Sequence, residues 1–255
     1  MTAAITARDV AKQFKGAPVL RSLSLDIRPS EIATLIGPSG CGKSTLLRLI
    51  SGLERDHTGE LGVAGRPIVG PDRRVGFLFQ EPRLLPWLTV RENVALGLPP
   101  EERRGSDARI AALLAQVQLD GTGHLLPRQL SGGMAQRAAL ARALAAEPDV
   151  LLLDEPFSAV DAITRARLQA LMISVWRRTR ITMLLVTHDL DEALQLSDRI
   201  FVLSDRPATV IDVLSIDAPR PRDRRDVELA GHRARLLDAL QLAGRAPIPE
   251  EARHA

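Results

Sequence analysis

Nine consecutive residues constrain this 255-residue chain more than any other feature. The run Gly37-Pro38-Ser39-Gly40-Cys41-Gly42-Lys43-Ser44-Thr45 follows a short apolar stretch, residues 32–36, and leads into a helical pattern over 44–51. The glycines let successive backbone N–H groups converge on phosphate oxygens, and the helix N-terminus adds a dipole that favours anions. Lys43 then reaches the β- and γ-phosphates of a nucleotide, and Ser44 places its hydroxyl on Mg²⁺. With sequence and context both matched, a nucleotide-binding loop outweighs an ordinary glycine turn. Lys43 is also the only lysine beyond position 15, so a stray solvated lysine is a poor explanation.

The rest of the chain supplies a frame for that loop. Residues 5–10 and the alternation of Leu23, Leu25 and Ile27 with Ser24 and Asp26 predict half-buried antiparallel strands, with further strands at 59–63 and 75–79. Pro82, Pro86, Pro99 and Pro100 punctuate the middle, and helical spacing follows at 107–119 (Ile110, Leu113, Leu114, Val117) and over the alanine-rich 134–146. Apolar runs return at 150–153, 181–186 and 200–203, with a helix at 164–178 between the first two. That alternation predicts a largely parallel sheet. Beyond Asp217 the chain becomes proline- and arginine-rich and then weakly helical (Leu236, Leu237, Leu240), which reads as a peripheral tail.

Composition narrows the function classes. With 45% hydrophobic and 25% charged residues the chain is globular. No apolar run approaches the roughly 18 residues of a membrane span, and none near the start has signal-peptide length, so a cytosolic chain is expected. One cysteine, Cys41, excludes an internal disulfide and a cysteine-cluster metal site. The net charge is only +3, and the pI of 9.7 reflects arginine at every basic position except Lys12, Lys15 and Lys43. The densest basic stretch, 220–225, interleaves arginine with proline and acid. It reads as a solvated tail rather than a phosphate-binding arm, and no nucleic-acid partner is expected.

Two more motifs carry chemistry. Val150-Leu151-Leu152-Leu153-Asp154-Glu155 is an apolar strand ending in adjacent carboxylates, Asp154 for the Mg²⁺ shell and Glu155 to polarise a water. Two carboxylates at a buried strand end are costly without a cation or proton between them, which argues against a purely structural role. No asparagine precedes a lysine, so the guanine-reading Asn-Lys-x-Asp sequence is absent. In Leu130-Ser131-Gly132-Gly133-Met134-Ala135-Gln136-Arg137, Ser131 caps a helix whose bare N–H groups, with two glycines, form a second anion site. Two phosphate cradles and one nucleotide loop suggest a head-to-tail dimer with nucleotide between subunits.

Here the sequence resembles the ABC-transporter ATPases, whose LSGGQ signature it matches with Met134 in place of glutamine. The family's other elements follow in order: Gln80 as the Q-loop glutamine, Ser158-Ala159-Val160-Asp161 as a D-loop with valine for leucine, His188 as the switch histidine on the γ-phosphate, and Phe14, with Val19 nearby, as the aromatic that stacks on adenine. The resemblance implies a P-loop NTPase fold, a RecA-like α/β core with an antiparallel β flank (1–80 and 148–215), an inserted helical subdomain that carries the signature (81–147) and a C-terminal tail (216–255). It further implies ATP and Mg²⁺, with Ser44, Gln80 and Asp154 as metal ligands, Glu155 as general base, and Ser131, Gly132 and Gly133 acting across a homodimer. Two transmembrane permease subunits, a solute-binding protein and a peripheral place on the cytoplasmic face of the inner membrane complete the assembly. The stretches 79–87, 161–165 and 219–222 look like the nitrate/sulfonate/taurine importer group, aliphatic sulfonates being the first choice of cargo. Leu84, Leu85 and Trp87 form a candidate socket for a partner helix, the alternative being burial in their own lobe. A soluble ABC protein of translation or DNA repair is the competing class. It would need a second cassette or a long coiled-coil insertion, and one P-loop with 45–130 between it and the signature leaves room for neither.

Overall fold

The computed structural model describes residues 3–223 and 226–243. Ten strands and seven helices follow one another along them. The opening alternation forms a long hairpin of β1 (Ile5–Phe14) and β2 (Ala17–Ile27), which β4 (Thr58–Val63) and β5 (Arg66–Pro67) extend into an antiparallel sheet of order β2-β1-β4-β5. The continuous apolar runs form a second sheet, ordered β10-β9-β3-β8-β7-β6, from β3 (Ile32–Ile36), β6 (Val75–Leu78), β7 (Val150–Asp154), β8 (Thr182–Val186), β9 (Arg199–Leu203) and β10 (Val210–Ser215). Only β10 runs antiparallel to its neighbour.

Both faces of that sheet are covered, which is why its strands read as unbroken apolar stretches. Along β7, Val150 and Leu152 pack on α1 (Lys43–Ile50) and the antiparallel sheet, while Leu151 and Leu153 face the other way. The second face carries α2 (Val90–Ala95), α3 (Asp107–Gln116), α4 (Gly132–Leu144) and α5 (Ala162–Thr179), so the helices of the middle segment share one core with the sheet. A third cluster joins Ile36, Ile200 and Val202 to α6 (Leu190–Leu196) and α7 (Val227–Ala243).

The tail departs from expectation. Far from peripheral, α7 buries Leu229, Leu236 and Ala239 against α6 and β9. Nor are Arg220 and Arg222 solvated. The Arg222 guanidinium donates to the carbonyls of Leu194, Ser197, Ile216 and Ala218 at 2.6–3.0 Å, and burial pulls its pKa down to about 10. Arg220, with a side chain only 6% exposed, stacks on Trp176 and pairs with Asp198 at 2.5 Å. Four carbonyls at the end of α6 and along the strap need donors, and the arginine fork supplies them where water cannot. Arg224 and Arg225 lie outside the described residues.

Candidate nucleotide site

The loop of residues 37–45 sits at the C-terminal edge of β3, where a parallel sheet opens to ligands. Gly42 has φ +125°, and a Cβ there would lie 2.9 Å from both Val19 Cγ1 and Leu20 Cδ2. Glycine is therefore required by strain and by space. The same contact shows that the β1–β2 hairpin lies against the loop. Gly37 is equally tight, since a Cβ would meet the Leu203 carbonyl at 2.9 Å, whereas Gly40, at φ +78°, faces open space. Pro38 O accepts from Cys41 N, and Ser39 is exposed. The Lys43 ammonium folds back onto the Gly37 and Pro38 carbonyls, each at 2.8 Å. Cys41 is buried and Thr45 lies in the first turn of α1, with burial raising the Cys41 thiol pKa and leaving it inert.

Strand register assembles the rest. Because β7 lies beside β8 with Asp154 opposite Val186, the carboxylates and the switch residues emerge at one edge. Ser44 Oγ donates to Asp154 Oδ1 at 2.9 Å, joining the phosphate loop to β7. Burial raises the Asp154 pKa, with Glu155 adding like charge, against the Ser44 bond and the Arg48 and Lys43 charges. Glu155 takes φ +45°, held there by its N–H on the Val186 carbonyl and by Ser158 on its own carbonyl. A left-handed non-glycine residue costs about 1–2 kcal/mol. Here it turns Glu155 toward His188, whose Nδ1 lies 3.4 Å from Glu155 Oε1. His188 itself is exposed.

Gln80 stands exposed just past β6, the strand beside β7, on the same edge as Asp154. From α4, Gln136 donates to the Phe79 carbonyl (3.3 Å) and Arg142 to those of Pro82 and Arg83 (2.8 Å each), so the signature helix grips the backbone on both sides of Gln80. Phe14 ends β1, opposite Ala17 on the hairpin that touches the loop. It is 43% exposed with the Lys12 ammonium 4.5 Å from its ring centre, so it is no core residue. Ser131 caps α4, accepting from Met134 N at 3.3 Å. The nearest neighbours a Cβ on Gly132 would meet are Ala159 O and Val160 Cγ1, near 4 Å, and one on Gly133 would strike Thr164. The signature thus packs beside the 158–161 turn of its own chain.

Sequence reasoning did not single out Gln136, Arg142, Thr187, Glu192 or Arg165 as functional. Thr187 Oγ1 donates to Glu192 Oε2 at 2.6 Å, and Asp189 caps α6 through the N–H groups of Asp191 and Glu192. The Asp189…Glu192 spacing ahead of a helical run was the available signal.

A family model described as ABC transporter matches residues 20–158, more than half of the chain. The chain belongs to the ABC transporter family. Among this family member's relatives, the aliphatic sulfonates import ATP-binding protein SsuB 2 of Burkholderia cenocepacia is 52% identical over 92% of this chain and 86% of its own length. SsuB 1 of Xanthomonas axonopodis pv. citri is 53% identical over 90% of this chain and 93% of its own. Among solved structures, the ATP-binding cassette MJ0796, in a dimeric post-hydrolysis state bound to ADP and Pi, matches with a TM-score of 0.72 at 31% identity, covering 84% of this chain and 100% of that one. The fold is that of these P-loop cassettes.

Proposed function

We propose that this ABC cassette is the ATP-hydrolysing subunit of an importer for aliphatic sulfonates. The single observation that carries ATP hydrolysis is the Ser44–Asp154 hydrogen bond beside the Glu155–His188 pair, which gathers three separated sequence motifs at one sheet edge. A hydroxyl and a carboxylate joined at 2.9 Å are the hard oxygen donors that Mg²⁺ takes. Ser44, Asp154 and Gln80 would hold it. Bound there, Mg²⁺ neutralises charge on the β- and γ-phosphates.

The residues then divide the work. Backbone N–H groups of 37–45 cradle the phosphates of ATP, and Lys43 exchanges its two loop carbonyls for phosphate oxygens. Glu155 takes a proton from the attacking water as the water oxygen bonds to the γ-phosphorus and the bond to the ADP oxygen breaks. His188 donates to the γ-phosphoryl oxygens, Gln80 connects the phosphate end to the helical lobe, and Phe14 stacks on adenine. In a homodimer, Ser131, Gly132 and Gly133 of the partner subunit close over the nucleotide with the N-terminus of α4. The boundaries that suit this division are 1–80 with 148–215, 81–147 and 216–255.

The names of the relatives support aliphatic sulfonate as cargo; two permease subunits as docking partners, a solute-binding protein as donor and the cytoplasmic membrane face as location follow from the importer reading. No described helix is long and apolar enough to cross a membrane, so the pore belongs to other chains in this reading. A strain lacking this chain is expected to lose growth on an alkanesulfonate as sole sulfur source and to keep growth on sulfate. Loss of growth on nitrate as sole nitrogen source, or on taurine alone, would move the cargo. A translation or DNA-repair defect with normal uptake would overturn the importer reading.

A further inference from the structure

Helix α5 begins at the 158–161 turn, where Asp161 caps it through the N–H groups of Ile163 and Thr164. One turn later, Arg165 reaches across to the first turn of α6. Its Nη1 donates to Asp189 Oδ2 at 3.3 Å, and its Nε lies 3.7 Å from Glu192 Oε1. That Nε is buried without a hydrogen-bond partner. Closing the gap to bonding distance needs a shift of roughly half an ångström to one. Both carboxylates shape the switch turn: Glu192 accepts from Thr187 Oγ1, and that hydroxyl accepts from Asp189 N at 3.0 Å. His188 is the residue between them.

We propose that Arg165 is a positioning residue for the switch histidine. It bridges the 158–161 turn to Asp189 and Glu192 and thereby fixes His188 opposite Glu155.

The electrostatics support the geometry. Glu192 is almost fully buried, and burial together with Asp189 raises its pKa, with the Thr187 hydrogen bond and the Arg165 charge opposing the shift. On the outer side of α6, Arg233 of α7 pairs with Asp191 and not with Glu192. Arg165 is therefore the permanently charged group that faces Glu192 where it accepts from Thr187 and favours its carboxylate form. Without it, Asp189 and Glu192 share one helix start with no permanent cation between them. The switch turn then relaxes unless Glu192 takes a proton.

The inference rests on the proposed roles of Glu155 and His188, and its test separates the two. ATP turnover of the full chain is measured from pH 6 to pH 9 for wild type, Arg165→Gln, Arg165→Gln/Glu192→Gln, and His188→Ala as control. Arg165→Gln is expected to lose about ten-fold or more in kcat at pH 8, with KM for ATP within two-fold of wild type. The deficit should shrink as pH falls, because protonated Glu192 needs no cation. The double variant should recover most of the loss and lose its pH dependence. If Arg165→Gln does not fold, Arg165→Lys, which keeps charge but not the fork, should still lower kcat at unchanged KM. An unchanged kcat, a deficit independent of pH, or a double variant no better than the single one overturns the proposal while leaving the nucleotide site intact. Full activity of His188→Ala overturns the site reading itself.

Discussion

Asp154 and Glu155 are adjacent, yet the backbone gives them different surroundings. Asp154 ends a regular strand and points its oxygen to Ser44, while the left-handed conformation of Glu155 swings it toward His188. Sequence shows two carboxylates in a row, but only the φ +45° residue shows how they diverge. Phe14 is the residue whose role the geometry sharpens most. Lys12, held by Glu54 and Asp56 at 3.1 and 3.0 Å, sits over the ring, and the residue remains 43% exposed. Phe14→Ala should therefore weaken ATP binding by about 1–3 kcal/mol, read by titration calorimetry, and leave the melting temperature nearly unchanged. Unaltered affinity would remove adenine stacking from the account.

At the scale of elements, caps and clamps decide what pattern leaves open. The loop over residues 85–89 is braced by Asn93. Fully buried on α2, it accepts from Leu85 N at 2.8 Å and donates to the carbonyls of Leu85, Leu88 and Thr89 at 3.0–3.1 Å. This splits the apolar trio: Leu84 packs against the helical core, while Trp87 is 71% exposed. Leu84→Asp should cost about 3 kcal/mol or more and shift the unfolding transition. Trp87→Asp should leave unfolding and basal turnover unchanged and abolish permease binding in a pull-down with the reconstituted transporter. Normal binding would place the docking surface elsewhere. The strands covered on both faces and the long helices were legible because their periodicity is unbroken. The short helices α2 and α6 were not, since each is only two turns or less, and β10 was missed because it is an edge strand with Leu214 alone fully buried, so neither a period-two pattern nor a continuous apolar run marks it. The tail was misread because Arg222 satisfies backbone carbonyls that sequence alone does not reveal as unpaired.

For the whole molecule, the site is legible as a set of motifs, which the proposed function completes with a second chain. Sequence supplied the phosphate loop, the carboxylates and the switch histidine, and strand register supplied their convergence at one edge. The connecting side chains, Gln136, Arg142 and Arg165, carry no recognisable spacing and emerge only from contacts. The signature helix packs beside its own 158–161 turn, so in this account its capped N-terminus serves a second copy. Glu155→Gln tests that directly. The amide should keep ATP binding and lower turnover by about 10²–10⁴. Light scattering with ATP and Mg²⁺ should then find a particle of twice the 27.7 kDa chain mass holding one ATP per chain, and a monomer without nucleotide. A Glu155→Gln protein that stays monomeric with ATP bound, or that hydrolyses ATP at the wild-type rate, would contradict it.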